Sequence, residues 1–389
     1  MDDSIMLERL LRAASEADRA GGRVILAGRC DHDNFGDSLM FAIMLRALDR
    51  LGVKADVLGA SEEFMERIQS DGHAPDSVPL EEVRSSDHVA LIGGGYLGQP
   101  EIGLWEWHNQ FQSGYFARLA HGLPSGSTLG VIGPEVGPLW SSQSRRIAST
   151  LLNRADYITV RNLGSLRDAQ RLTAQEVRVL PDLVLAGAPA YLGYLAQGTP
   201  VPARSGQIAI HGTGRFFSSN VVSRLARSAL LEFITSGRPD GIVVFFDQSN
   251  YEKQLLPSVE EFLEQLPREV QASIQRYSGH LRTLTLLASA QHVVTSKLHA
   301  GISALALGTP VTCFADSPKA RRFYRGHQLR GVHASLFLTS PGKKRRHLSR
   351  AASIAGDPEF RSTLERLQAS ASLYITPVPT DSSVSTLLD

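Results

Sequence analysis

Short apolar runs alternate with amphipathic stretches along nearly the whole chain, and this rhythm constrains the fold more than any other feature. Strand-like runs read at 23–28, 54–58, His88–Ile92, Thr128–Ile132 and Tyr157–Val160. Helical patterns at 37–51, about 107–119 and 141–153 fall between them. A second series follows, with runs at 207–210, 241–246, His292–Thr295 and Val311–Phe314. Strands that alternate with helices build parallel sheets covered on both faces, so the expected class is α/β. At 389 residues the chain exceeds one typical core, and two domains are expected. The stretch 186–202 is crowded with small residues, Pro and Gly, which marks 189–204 as the linker between domains at 1–188 and 205–350. A helix is expected within 351–375, from about Pro358 to Ser370, followed by a flexible Ser/Thr/Pro tail over 376–389.

Composition narrows the class of function. Hydrophobic residues at 42% and charged residues at 20% describe an ordinary globular protein. A formal net charge of +1 argues against a general nucleic-acid binder. Cys30 and Cys313 are far apart, each beside a strand, and are expected as free buried thiols rather than a disulfide. No Cys/His spacing fits zinc. The acidic start Met1-Asp2-Asp3-Ser4 lacks the pattern of a signal peptide. No segment approaches the roughly 20 apolar residues that span a bilayer. The expected setting is the cytoplasm.

The most informative stretch is Thr295-Ser296-Lys297-Leu298-His299-Ala300-Gly301. It joins one strand to the helix before the next, so Lys297 and His299 fall at the carboxyl edge of a parallel sheet, where ligands bind. A helix start also offers unpaired N–H groups and a positive dipole end, suited to a phosphate or carboxylate. The structural alternative is that His299 only packs or caps the helix. After the first strand, the loop through Asn34, Gly36 and Asp37 reads as a tight turn in which Asp37 caps the next helix. The run Gly36-Asp37-Ser38-Leu39 imitates an esterase nucleophile block. Such an enzyme needs an activating histidine oriented by an acid, and no Asp-x-x-His occurs in the chain. Gly93-Gly94-Gly95 permits close backbone approach to a ligand but fits no dinucleotide fingerprint, and no phosphate-cradling GxxxxGK[ST] exists.

With these residues go Gly133-Pro134-Glu135, Val160-Arg161-x-x-x-Ser165, Pro181-Asp182-Leu183 and Gly308-Thr309-Pro310. In this order and spacing, over roughly residues 22–314, the chain resembles the polysaccharide pyruvyltransferase family. It departs at Asn162, where the family often carries an acidic residue. The resemblance implies two Rossmann-like domains facing across a cleft, as in GT-B glycosyltransferases. It also implies transfer of pyruvate from phosphoenolpyruvate onto two hydroxyls of a sugar as a ketal, with no metal or other cofactor. The His of the Lys-Leu-His block and an upstream Arg are associated there with phosphoenolpyruvate. That assigns His299, with Lys297 and Leu298 beside it, and Arg215 of His211-Gly212-Thr213-Gly214-Arg215 as the upstream candidate. Asn34, Gly36, Asp37, Gly94 and Gly95 are then expected on the acceptor side, in the first domain.

The residue chemistry accords with such a donor, since phosphoenolpyruvate carries about three negative charges and needs cations and N–H donors. Two other readings use the same residues: a GT-B glycosyltransferase taking a nucleotide sugar, and a non-catalytic carbohydrate-binding relative. Charge is also segregated: from Lys319 to Arg350 there are ten Lys/Arg and no Asp or Glu. Such a block is a solvated, flexible face, or it meets a lipid-linked acceptor or the anionic inner face of a membrane. Among the charges themselves only Phe323 and Tyr324 could stack on bases, which argues against nucleic acid.

Overall fold

The structure, a computed structural model, describes residues 5–31, 33–98, 105, 107–109, 114–329, 331–335, 340–354 and 357–375. The chain divides into two compact units, one of residues 1–33, 40–187 and 368–389, the other of residues 34–39 and 188–367.

The first unit holds a sheet of seven strands: β1 (Val24–Ala27), β2 (Ala55–Leu58), β3 (Ser77–Val78), β4 (His88–Ile92), β5 (Thr128–Ile132), β6 (Tyr157–Val160) and β7 (Val177–Val179). The order is β3-β2-β1-β4-β5-β6-β7 and every pairing is parallel. The second unit holds β8 (Gln207–His211), β9 (Gly241–Phe245), β10 (Gln271–Gln275), β11 (His292–Thr295), β12 (Val311–Phe314) and β13 (His333–Ala334). Their order is β10-β9-β8-β11-β12-β13, again all parallel. Counted within each unit, the first six strands of both sheets run 3-2-1-4-5-6, the doubly wound Rossmann order. Central strands such as β1 (VILA) and β9 (GIVVF) are buried at every position, because helices cover both faces of a parallel sheet.

Several expected boundaries move. The helix after β1 is Phe35–Asp49 rather than 37–51. Of the helix expected over 107–119, residues 107–109 are helical, and a helix Tyr115–Gly122 follows, with Gly114 in its N-cap position. The first part of the expected linker is helix: Val184–Leu195 carries Pro189 inside it. Leu185, Ala188, Tyr191 and Leu192 of that helix are buried, so apolar packing overrides the composition that suggested a flexible joint. The boundary between units falls at 187/188, and extended, irregular chain is confined to about 199–205. The C-terminal helix forms as expected, at Pro358–Ser372, and a further helix, Pro341–Ile354, precedes it. The chain beyond 367 belongs to the first unit, where Tyr374 is buried and its Oη donates to Leu180 O at 3.3 Å. The tail expected from Thr376 lies outside the described residues.

Candidate active site

In the second sheet the strand order reverses between β8 and β11, the switch point where open α/β sheets bind ligands beyond their carboxyl ends. A polar network occupies that edge. β8 ends on His211 and β11 on Thr295, while Asp247 and Lys297 lie two residues beyond β9 and β11. Lys297 Nζ donates to both oxygens of Asp247 at 2.8 Å. His211 Nε2 lies 3.2 Å from Asp247 Oδ1, and His211 Nδ1 lies 2.9 Å from Thr295 Oγ1. A neutral imidazole accepts at Nδ1 from Thr295 and keeps its Nε2 proton beside the Asp247 carboxylate. Burial pushes His211 down from its ordinary pKa, only partly opposed by Asp247. Burial pushes the Asp247 carboxyl up, but Lys297 and His211 outweigh it and hold the group well below the carboxylate range. Asp247 and His211 are fully buried, whereas the Lys297 side chain is 28% exposed, so the network opens to solvent through the lysine.

The sequence placed Lys297 as a lone cation at a helix start. The structure keeps it at the N-cap position of the helix Leu298–Ala306 and adds a partner. Asp247 escaped sequence reading because Asp-Gln-Ser after a strand looks like any helix approach. Arg215 lies in a short helix, Gly214–Phe217, with its guanidinium 3.8 Å from Asp316, two residues beyond β12. Thr213 Oγ1 and Ser296 Oγ, 2.7 Å apart, tie the loop that carries Arg215 to the loop that carries Lys297 and His299.

His299 is the second residue of its helix, and Leu298 before it is buried in the core. Against the His299 ring lies Gly36, where an added Cβ would fall 2.3 Å from Nδ1. Residues 34–39 belong to the second unit, so the structure brings together two motifs that the sequence had assigned to different sides. Asn34, not Asp37, caps the helix Phe35–Asp49: its Oδ1 accepts from Gly36 N at 3.0 Å and Asp37 N at 3.4 Å. Asp37 instead stands half-buried in the first turn. The capping role goes to Asn34 because it immediately precedes the first helical residue.

Ser38 does find a histidine: its Oγ lies 2.9 Å from His280 Nε2. Both are fully buried, with His280 packed against Phe35 and Tyr191 at ring separations of 5.9 and 6.0 Å. The pair anchors the 34–39 turn and has no opening to a substrate, so it does not make an esterase. Only proximity in the fold reveals His280, which lies 242 residues away in sequence.

The glycine turn after β4 serves the protein's own packing. Gly93 and Gly94 have φ of +41° and +83°. A Cβ on Gly94 would meet the Tyr96 ring at 1.9 Å. Gly94 is buried and Gly95 half-buried. Further along the same edge, Arg161 Nε donates to Glu135 Oε2 and a terminal nitrogen to Asp182 Oδ2, each at 3.1 Å. Asn162 joins them: Nδ2 donates to Glu135 Oε2 at 2.7 Å while Oδ1 caps the next helix at Ser165 N, 2.8 Å. The neutral residue at 162 therefore leaves the ion pair intact. Burial disfavours the charged Arg161, yet Glu135 and Asp182 more than offset it and raise its pKa. Among the described residues, no cluster of three His, Cys, Asp or Glu side chains forms a metal site.

Two Rossmann-like domains, one bearing an ionisable cluster at its switch point, make an α/β fold of the GT-B type. The chain belongs to the polysaccharide pyruvyl transferase family, whose model matches residues 34–318. It is thus a transferase, and the family's activity is pyruvate transfer onto polysaccharide. No curated protein matches the chain. Similar solved structures include the UDP-GlcNAc 2-epimerase of Methanocaldococcus jannaschii, at 11% identity and TM-score 0.56, covering 89% of this chain and 98% of that one. The Neisseria meningitidis UDP-GlcNAc 2-epimerase bound to UDP-GlcNAc gives 11%, 0.56, 90% and 96%. Anabaena HepE in complex with UDP and glucose gives 15%, 0.51, 94% and 99%. At these identities the likeness shows the fold alone.

Proposed function

We propose that the donor is phosphoenolpyruvate and that the product is a pyruvate ketal joining two hydroxyls of one sugar. The observation that carries this reading is the switch-point edge of the second sheet, where linked loops present Arg215, Lys297 and His299. Arg215 and Lys297 hold the phosphate and carboxylate, and the buried Asp247 aims the ammonium. The His299 imidazolium gives a proton to C3 of the enol, leaving C2 as an oxocarbenium-like centre. One sugar hydroxyl bonds to C2 and its proton returns to His299. The C2–O bond to phosphate then breaks, a second hydroxyl bonds to C2, and its proton leaves with the phosphate. The products are the ketal and hydrogen phosphate.

Gly36, flush against His299, and Asp37 in the same turn are assigned to the acceptor side. Asn34 shapes that turn, and Gly94 and Gly95, just beyond β4 in the first unit, are assigned to the acceptor as well. The acceptor is proposed to be lipid-linked, which gives the basic segment a role. That segment is not a loose run: it forms the helices Pro318–Gly326 and Pro341–Ile354, with Phe323, Tyr324 and Lys344 buried. Arg321, Arg325, Lys343, Arg346 and Arg350 are exposed, and we assign them to an anionic membrane face. Among the described residues no helix is long and apolar enough to cross a membrane.

Thermal unfolding tests the donor. Phosphoenolpyruvate at 100 times its Kd should stabilise the protein by about 2.7 kcal/mol. A shift with a nucleotide diphosphate sugar and none with phosphoenolpyruvate would instead favour the glycosyltransferase reading.

A further inference from the structure

Strands β1, β2 and β4 of the first sheet end on one side at Ala27, Leu58 and Ile92. There the segment 28–31, Gly59 and Tyr96 wall a cavity of about 280 Å³, closed by Trp107 and the stretch 114–116. It sits where the order of the first sheet reverses, between β1 and β4. Nothing described above uses it.

Four of its ten lining residues are aromatic, Tyr96, Trp107, Tyr115 and Phe116, and three of these pack on one another. The Tyr96 and Phe116 rings stack at 4.7 Å and 19°, and Tyr115 meets Phe116 edge-on at 5.1 Å and 80°. Tyr115 Oη accepts from Gly28 N at 3.1 Å. The charged groups cancel: Arg29 Nε and a terminal nitrogen donate to the two oxygens of Asp31 at 2.8 and 3.1 Å. A neutral, forked polar rim beside aromatic faces does not suit a phosphate or carboxylate. It does suit a molecule with an apolar face and a ring of hydroxyls. Size narrows this further, because ligand pockets for drug-sized molecules begin at about 300 Å³. At about 280 Å³ the cavity lies at the small end of that range, which favours a single sugar ring over a nucleotide sugar.

The geometry points to this cavity as the binding site for a neutral hexopyranose ring, its C–H face on the aromatic rings and its hydroxyls on the Arg29–Asp31 fork. The inference rests on the transferase reading only in naming that ring as part of the acceptor.

The test is saturation-transfer NMR on the full chain with methyl glucopyranoside, galactopyranoside and mannopyranoside, without phosphoenolpyruvate. Signal on the ring C–H protons of at least one glycoside is expected. Binding should weaken about tenfold in Trp107→Ala and in Asp31→Ala, each removing one kind of contact, while the thermal shift with phosphoenolpyruvate stays unchanged. Trp107 packs on the core, whereas the Asp31 side chain is 62% exposed, so the second variant reports even if the first unfolds. Binding unchanged in the folded variants, or no glycoside bound by the wild type, overturns the inference. Glycoside binding that is lost in the variants, with no thermal shift from phosphoenolpyruvate in the wild type, upholds the cavity and removes the phosphoenolpyruvate reading instead.

Discussion

Two charged networks sit at the carboxyl edges of the two sheets, and they differ in one respect that separates support from chemistry. In the first unit, Arg161, Glu135 and Asp182 are sealed, none with more than 2% of its side chain exposed. In the second, Asp247 and His211 are equally buried, but the chain of contacts ends on the partly exposed Lys297. A closed network fixes three loops and can meet no ligand. An open one holds a cation at the surface while keeping its counter-charge out of water. The same topology and the same edge therefore supply a brace in one unit and a candidate donor site in the other.

The sharpest break of that comparison is Arg161→Met. Removing one partner leaves two buried carboxylates uncompensated and should cost about 3–5 kcal/mol of stability. Urea unfolding measures the loss, and the phosphoenolpyruvate Kd of the molecules still folded should not change. A tenfold weaker Kd at unchanged stability would assign the first network to the ligand.

Acid unfolding probes one buried histidine in each sheet. Burial lowers His88 to about 4 and His292 to about 3, from an ordinary 6.5. Both pKa values are depressed, so below 6.5 the unfolded chain binds protons that the folded chain refuses. Stability is full above 6.5 and falls as pH drops toward the folded values, by roughly 3 kcal/mol for His88 alone at pH 4. Asp247, whose ordinary value is 3.8, contributes only below that, so a loss between pH 6.5 and 4.5 belongs to histidines. His88→Gln should flatten that part of the curve measurably; an unaltered slope would show that other groups carry it.

Arg215→Met is the counterpart at the second sheet's edge, on the loop tied to that of Lys297. A charge-assisted contact is worth about 1.5–3 kcal/mol, so the phosphoenolpyruvate Kd should rise about 10- to 100-fold. The guanidinium is partly exposed and 3.8 Å from Asp316, so little stability should go with it. Calorimetric titration showing wild-type affinity would take Arg215 out of the site. The smallest effect belongs to the basic helices. Lys343, Arg345 and Arg346 replaced together by Gln should weaken binding to anionic vesicles by about 1 kcal/mol per engaged residue. Lys344 is left in place because it is buried. Vesicle flotation that does not distinguish variant from wild type would reduce the segment to a solvated face.

How much of this was legible in the sequence follows from what each residue's neighbours are. Central strands such as β4 and β9 announce themselves because burial on both faces forces continuous apolar runs. β3, β7, β10 and β13 went unread: they are short sheet-edge or near-edge strands, and β10 is mostly exposed, QASIQ, so no apolar run marks them. Lys297 and His299 were readable because a strand, two polar residues and a helix lie together in sequence. Asp247, His211 and His280 act through partners 50, 36 and 242 residues away, and only the fold brings those together. Gly36 was read as a turn former; that it also makes room for the His299 ring needed the coordinates.

The central claim is that the second sheet's edge moves pyruvate, and the product mass tests it directly. Wild-type protein incubated with phosphoenolpyruvate and the acceptor glycoside should yield a species heavier by pyruvate less one water, with one phosphate released per ketal. His299→Ala should form that species 10²–10⁴ times more slowly, with unchanged melting temperature. Equal rates in the two proteins, or phosphate released with no ketal formed, would contradict the account.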